Sequence, residues 1–161
     1  MGKVSEIDVL TDICKLLLQE HAGVQPFLKQ VLLKANQLIG SDIGFIGLLE
    51  EKEGARWVVL REKAYNIIGT ESGKWERYAG RLKVGGAELP EHERSFIGYV
   101  AYTKKSRRRG HVQQEKFYRA SNAETQSELA VPILLDGDVL GVINLESRTP
   151  NFYTADHEKI L

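Results

Sequence analysis

The stretch from Ser127 to Ser147, SELAVPILLDGDVLGVINLES, has apolar residues on both sides of what its pattern predicts to be a β-hairpin. Its turn is the triplet Asp136-Gly137-Asp138. In the first strand, alternation places Leu129, Val131, Ile133 and Leu135 on one side and Ala130, Pro132 and Leu134 on the other. In the second strand, it places Ile143 and Leu145 on one side and Leu140 and Val142 on the opposite side. Because antiparallel sheets usually leave one face in water, we expect this hairpin at the centre of a sheet that is covered on both faces.

Two helices are predicted ahead of the sheet. The first, from Ser5 to Glu20, carries two adjacent apolar stripes. One stripe is enough to dock a helix on its own domain, so the second stripe favours a homodimer through Ile13, Leu16 and Leu17. The alternative is a helix that wedges deeper into its own core. The second helix shows apolar three-four spacing from Val24 to Ile39.

The remaining pattern predicts short elements and one long loop. Strands are expected at Asp42 to Glu50, Arg56 to Tyr65, Arg81 to Val84 and Arg107 to Val112, and helices at Ser95 to Thr103, Glu115 to Ala120 and Thr154 to Leu161. The glycine-rich segment from Asn66 to Arg94 is either a lid over a pocket or plain surface elaboration. This order of elements predicts an α+β three-layer sandwich, in which only short helices and loops cover one face of the sheet. A small-molecule pocket is expected under that thin cover.

Composition narrows the classes of function. The chain has 161 residues, which fits a single domain over residues 1–161, and its ends suggest a piece cut from a longer multidomain protein. Lys plus Arg and Asp plus Glu number 22 each, so no global charge favours nucleic acid or an anionic membrane. No apolar run approaches the ~20 residues that span a bilayer, which predicts a cytoplasmic protein without membrane insertion. Cys14 is the only cysteine, so no two thiols of one chain can be oxidised together.

These residues resemble a GAF domain, the small-molecule sensor module of many signalling proteins. The resemblance is carried by the hairpin motif, by NFYTADH from Asn151 to His157, by GYVAYTKK from Gly98 to Lys105, and by the order of elements. It covers essentially the whole chain. It implies a GAF-like central antiparallel sheet of five to six strands, with the N- and C-terminal helices on one face and a ligand pocket on the other.

Several departures from the family's subtypes guide the functional prediction. Bilin-binding members carry a cysteine in the region that reads HVQQEKFYRA here, and Cys14 lies in another helix. Free methionine sulfoxide reductases use several cysteines, so the single cysteine predicts a protein that is not an enzyme. The signature of cyclic-nucleotide-binding members is matched only in part, because Leu145 and His157 replace its lysine and glutamate. The N–H groups at the start of the predicted helix SFIG could still receive an anion.

The resemblance, together with strand alternation, gives the candidate ligand-binding residues, which are Phe45, Ser95, Phe96, Ile97, Tyr99, Arg109, His111 and Tyr118. Arg109 and His111 share one side of a strand and would suit an acidic ligand, although a solvated basic turn is the alternative. Tyr118 would stack on the ligand, and the alternative is that this aromatic side chain only packs in the core. No metal-ligand spacing is found among the histidines, and the sequence leaves the identity of any cofactor unknown. Asn144 is expected to bond a neighbouring loop that holds the final helix.

The sequence therefore predicts a non-catalytic sensory or regulatory domain that binds a small ligand. Binding would change the packing of a dimeric helix bundle and so signal to a C-terminal output module. Two alternatives remain, a dimerisation or protein-docking module with a degenerate pocket and a cyclic-nucleotide-binding domain. Phe96 and Ile97, which stand in place of small residues, favour the docking module, and the glycine-rich segment favours the sensor.

Overall fold

A computed structural model describes the backbone of residues 24–65, 80–114 and 123–161, and the side chains of residues 28–60, 80–114 and 123–161. The predicted helix from Ser5 to Glu20, with its dimer residues Ile13, Leu16 and Leu17, lies outside this part of the chain. So do Tyr118 and the predicted helical turn from Glu115 to Ala120. These predictions stay untested.

The helices and strands follow the predicted order. Their bounds are α1 Val24–Ile39, β1 Ile43–Lys52, β2 Ala55–Tyr65, β3 Arg81–Lys83, α2 Phe96–Thr103, β4 Arg107–Arg109, β5 Ser127–Leu135, β6 Asp138–Ser147 and α3 Ala155–Ile160. Short 3₁₀ helices occupy Glu91–Glu93 and Val112–Gln114. In these described segments, no helix is both long and apolar enough to cross a membrane.

Strand β4 is shorter than predicted. The pattern extended it to Val112, whereas it ends at Arg109. Beyond that point the Gly110 carbonyl accepts a hydrogen bond from the backbone nitrogen of Asn151 at 3.0 Å. Val112 N then donates to the carbonyl of Gln126, directly before β5, at 2.9 Å, so isolated hydrogen bonds replace the regular strand pairing after Arg109.

The strands form one antiparallel sheet in the order β3-β2-β1-β6-β5-β4. This arrangement confirms the predicted α+β fold. The β5–β6 hairpin lies inside the sheet, because β6 pairs with both β1 and β5 while β5 also pairs with β4. The two edge strands of the described sheet, β3 and β4, have three residues each.

Helix α1 covers one face of the sheet, called here the α1 face. Its apolar stripe packs on inward-facing residues of β1, β5 and β6, and the segment after β6 adds aromatic side chains to the same cluster. The buried members are Leu28, Leu32, Ile39, Ile46, Leu129, Ile143, Leu145 and Tyr153. Leu161, which follows α3, packs partly buried against this cluster, so the C-terminal helix ends on the α1 face.

Helix α2 covers the opposite face, called here the α2 face. This helix is apolar on most of its surface, and it packs on the centre of the sheet from β1 to β6. The buried members of this second core are Ile43, Phe45, Val58, Leu82, Phe96, Ile97, Val100, Ala101, Ala130, Val139 and Val142. The base of the hairpin is therefore covered on both faces, as its apolar pattern requires.

The tip of the hairpin differs from the prediction. The pairing shifts between Ile133 and Leu134, because Ile133 faces Gly141 while Leu134 faces Val139. The extra residue in β6 is Leu140, and a bulge of this kind reverses the sides of the residues beyond it. Val139 consequently enters the α2-face core in place of Leu140, which is 45% exposed.

Candidate functional site

Four buried polar side chains lie at one end of the α2 face, where the rest of the core is apolar. This polar cluster consists of Thr125, Glu128, Asn144 and Glu146, each at most 2% exposed. Thr125 Oγ1 donates to Glu146 Oε2 at 2.6 Å, and Asn144 Nδ2 donates to Glu146 Oε1 at 3.3 Å. Removing a carboxylate from water costs several kcal/mol, so two buried glutamates are not what packing alone would select.

The register of the strands places these side chains on one face. Glu128 of β5 pairs directly with Glu146 of β6, and Asn144 pairs with Ala130 and Phe45, which belong to the α2-face core. Side chains that are directly opposite on neighbouring strands share a face and lie close together. The two carboxylates and the amide therefore form one patch on the sheet.

A guanidinium group borders this patch. Arg107 pairs with Ala130, so its side chain also lies on the α2 face. Its guanidinium carbon is 4.6 Å from the centre of the Tyr99 ring and 5.7 Å from that of Phe96. Both distances are within the range of a cation–π interaction. These contacts hold the arginine against the first turns of α2.

The start of α2 is closed by its own cap and by β3. Ser95 Oγ accepts a hydrogen bond from Gly98 N at 2.9 Å, and the Ser95 carbonyl accepts one from Tyr99 N at 3.0 Å. A Cβ atom built on Gly98 would lie 2.0 Å from the carbonyl oxygen of Lys83 in the neighbouring strand. Because Gly98 N already donates to Ser95 Oγ, it is not one of the donors that could receive an anion.

The structure brings together some of the sequence-predicted site residues. Phe45, Ser95, Phe96 and Ile97 are buried around α2, and Tyr99 is half-buried beside Arg107.

Two other predicted site residues lie at the surface. Arg109 is exposed, and its Nη1 donates to the carbonyl of Arg108 at 2.9 Å. His111 is exposed, with its Nε2 atom 3.1 Å from Asn151 Nδ2. Whether any predicted site residue, buried or exposed, contacts a ligand stays a prediction.

Sequence reasoning missed three members of the polar cluster and misassigned the fourth. Thr125, Glu128 and Glu146 were not singled out, and Asn144 was expected to hold the final helix. Asn144 instead bonds Glu146 on the α2 face, whereas the final helix packs toward the α1 face. The available signal was the presence of glutamates in strands whose neighbouring positions are apolar on both sides.

A second polar contact joins strand β4 to helix α3. Arg108 Nε donates to Glu158 Oε2 at 2.9 Å, and Ser106 Oγ donates to Glu158 Oε1. Arg108 Nη1 also donates to the Tyr153 carbonyl at 3.3 Å. Because side chains alternate along a strand, Arg108 points away from the face that carries Arg107. We call Ser106, Arg108 and Glu158 the β4–α3 latch.

The latch should weaken in acid. The hydrogen bond from Ser106, followed by the hydrogen bond and charge of Arg108, holds the pKa of Glu158 below its ordinary value of 4.5. A group whose pKa is lowered on folding stabilises the fold fully above its unfolded pKa, and it loses that contribution as pH falls through the folded value. We expect the protection factors of α3 amides, which correct hydrogen–deuterium exchange for the pH dependence of the intrinsic rate, to fall below pH 4.5. Glu158→Gln should remove this pH dependence, and an unchanged profile in that variant would contradict the assignment to Glu158.

Comparison with known protein families shows to which family the chain belongs. The family model described as GAF domain matches residues 21–161. The chain therefore belongs to the GAF domain family, which makes it a regulatory or sensory domain in general terms and confirms the resemblance in its motifs. A search of curated proteins found no match.

Solved structures of similar fold include both regulatory domains and enzymes. One described as a GAF domain is 17% identical, with a TM-score of 0.72, over 96% of this chain and 80% of its own. The GAF domain of a Coxiella burnetii phosphoenolpyruvate-protein phosphotransferase is 15% identical, with a TM-score of 0.70, over 99% and 88%. The free methionine-R-sulfoxide reductase of Staphylococcus aureus with its substrate is also 15% identical, with a TM-score of 0.69, over 99% and 90%.

These reductases contradict the prediction that the chain is not an enzyme. Several structures of free methionine-R-sulfoxide reductases share its fold. The prediction rested mainly on the cysteine count, and a fold that hosts both regulators and reductases does not separate these classes. At this level of identity, the likeness shows the fold, and it leaves catalysis open for this chain.

Proposed function

We propose that this domain binds a small ligand at the polar cluster on the α2 face and transmits binding through β4 to α3. The observation that carries the proposal is the burial of Glu128, Asn144 and Glu146 in a core that is otherwise apolar. Natural sequences depart from consistent core packing mainly at functional sites. A ligand that meets these groups would recover part of the free energy spent on their desolvation.

The route of transmission follows from the alternation of side chains in β4. Arg107 faces the α2 side of the sheet, while Arg108 belongs to the latch with Glu158. Because β4 has only three residues, a displacement of Arg107 would also displace its neighbour Arg108. A ligand that displaces Arg107 would therefore alter the position of α3. Such coupling is limited to the difference in ligand affinity between the two arrangements, typically about 1–3 kcal/mol.

The predicted dimer contributes the remaining step of this function. We propose that α3 and the apolar N-terminal segment containing Ile13, Leu16 and Leu17 pass the change to a second copy of the chain and to an output module. Support for this step comes from the sequence pattern of that segment and from the family's regulatory character.

A ligand screen tests the proposal. Purified protein is examined by thermal shift and native mass spectrometry against cyclic nucleotides, free amino acids, 2-oxoacids, haem and bilins. A ligand present at 100 times its Kd should stabilise the fold by about 2.7 kcal/mol, which shifts Tm by several degrees. The variant Glu128→Gln should lose most of that shift, whereas Glu51→Gln, on an exposed part of β1, should keep it. Silence across the panel would contradict ligand binding and favour a docking module.

A further inference from the structure

The tip of the β5–β6 hairpin exposes three leucines at one place on the surface. Burial falls along β5 toward the turn, and Leu134 and Leu135 at its end are 48% and 58% exposed. Leu140 is 45% exposed, and it follows Val139, the residue that pairs with Leu134. Single exposed leucines are ordinary, whereas a group of them marks an interaction site. We call Leu134, Leu135 and Leu140 the leucine tip.

The backbone of the leucine tip is held in place by its turn and by helix α2. Asp136 and Gly137 both have positive φ angles, of 51° and 85°, which fits a two-residue type I′ hairpin turn. Lys104, directly after α2, donates from Nζ to the Gly137 carbonyl at 2.7 Å and lies 3.7 Å from the Asp138 carboxylate. A partner would therefore bind the tip with little further ordering of its backbone, which favours affinity.

The charges around the leucine tip are mainly acidic. Strand β1 runs beside β6, with Leu48 opposite Gly141, so the β1–β2 turn lies next to the tip. The exposed acidic residues of the two turns are Glu50, Glu51, Glu53, Asp136 and Asp138, and the exposed basic residues around them are Lys52, Arg56 and Lys104. Acidic residues thus outnumber basic ones here, although the whole chain has 22 of each.

This combination of apolar surface and acidic surroundings indicates the kind of partner. We propose that the leucine tip docks a basic amphipathic helix of another protein. The apolar face of such a helix covers the leucines, and its lysines and arginines meet the surrounding carboxylates. A second copy of this chain is disfavoured, because two-fold pairing of tips would bring Asp136 and Asp138 close to the same residues of the other copy.

The leucine tip is separate from the polar cluster. Glu128 lies near the start of β5 and Glu146 near the end of β6, whereas the tip lies at the opposite end of both strands. The docking proposal therefore goes beyond ligand binding and does not depend on it.

Synthetic peptides test docking on the unmodified protein. The probe is a fluorescent helix of about 14 residues made of Leu and Lys, with its leucines at three-four spacing. One matched peptide has Glu in place of Lys, and another has the same composition in an order without an apolar face. Fluorescence anisotropy should show the Leu–Lys probe binding at least about tenfold more tightly than either. Its affinity should fall as salt is raised, because salt screens exposed charges.

Variants locate the binding at the tip. Leu135→Ser combined with Leu140→Ser removes apolar surface and keeps every charge, so it should weaken the probe about tenfold without changing the circular dichroism spectrum. Asp136→Asn combined with Glu53→Asn removes two carboxylates at positions of positive φ, which asparagine accepts. This variant should bind about threefold more weakly and with a smaller salt dependence. Ile160→Ser, at an apolar residue of α3 that is 39% exposed, is the control and should bind as the wild type does.

The contrary outcomes are equally specific. No binding of the Leu–Lys probe to the wild type, or equal binding to the wild type and to the leucine variant, would overturn the proposal. Equal affinity for the Glu peptide would show that the acidic surroundings do not select the partner. Self-association in sedimentation velocity that the leucine variant abolishes would make the tip an interface between copies of this chain. Each of these results would leave ligand binding at the polar cluster unaffected.

Discussion

Replacing Gly98 with alanine is expected to lower the free energy of unfolding by about 3 kcal/mol, the upper part of the usual range for an overfilled core. The new Cβ would lie 2.0 Å from the Lys83 carbonyl oxygen and 2.7 Å from Ser95 Oγ. Because the Lys83 oxygen is a backbone atom of β3, relief requires α2 and the sheet to separate. Alanine is otherwise better than glycine inside a helix by about 1 kcal/mol, so the sign of the measured change decides between the two effects.

Urea unfolding followed by circular dichroism would measure this change. Gly54→Ala is the matched control, since no atom lies within 4 Å of its added Cβ and only its φ of +72° opposes the substitution. That conformation costs an L-residue about 1–2 kcal/mol. A Gly98→Ala protein as stable as the wild type would show that α2 does not pack against β3 this closely.

Replacing Arg108 with alanine is expected to accelerate hydrogen exchange of α3 amides about tenfold. The substitution removes hydrogen bonds to Glu158 and to the Tyr153 carbonyl. Hydrogen bonds to charged groups contribute about 1.5–3 kcal/mol, and partial exposure reduces this to about 1.4 kcal/mol, which corresponds to the tenfold change. Helix α3 has only six residues, so it depends on such contacts for its position.

Arg109→Ala is the control for this experiment. Arg109 has the same chemistry and lies next to Arg108, but its side chain is on the opposite side of β4. We expect α3 exchange to be unchanged in this variant. Equal acceleration in both variants would mean that general loss of positive charge, rather than the latch, controls the helix.

Sequence periodicity predicted the layers of this fold well, because a strand that is buried on both faces has apolar residues at both sets of alternating positions. The hairpin from Ser127 to Ser147 reads as apolar on both sides, and it lies inside the sheet with cores above and below its base. The bulge at Leu140 was not predictable in the same way. It depends on which residue the partner strand can accommodate, and the sequence of one strand does not contain that information.

The candidate site was less predictable than the fold. Phe96 and Tyr99 were located through the family resemblance, and they do lie beside Arg107. Glu128 and Glu146 were overlooked because a charged residue near the end of a strand ordinarily faces water. Their burial depends on the pairing of β5 with β6 and on Thr125, which is distant in sequence from Glu146.

The two outer strands of the described sheet also bear on how this protein behaves at high concentration. Each is three residues long, and β4 consists entirely of arginines. Unpaired strand edges are templates for intermolecular β-pairing, and short, positively charged edges resist it. Concentrated solutions should therefore be slow to form amyloid-like fibrils through these edges.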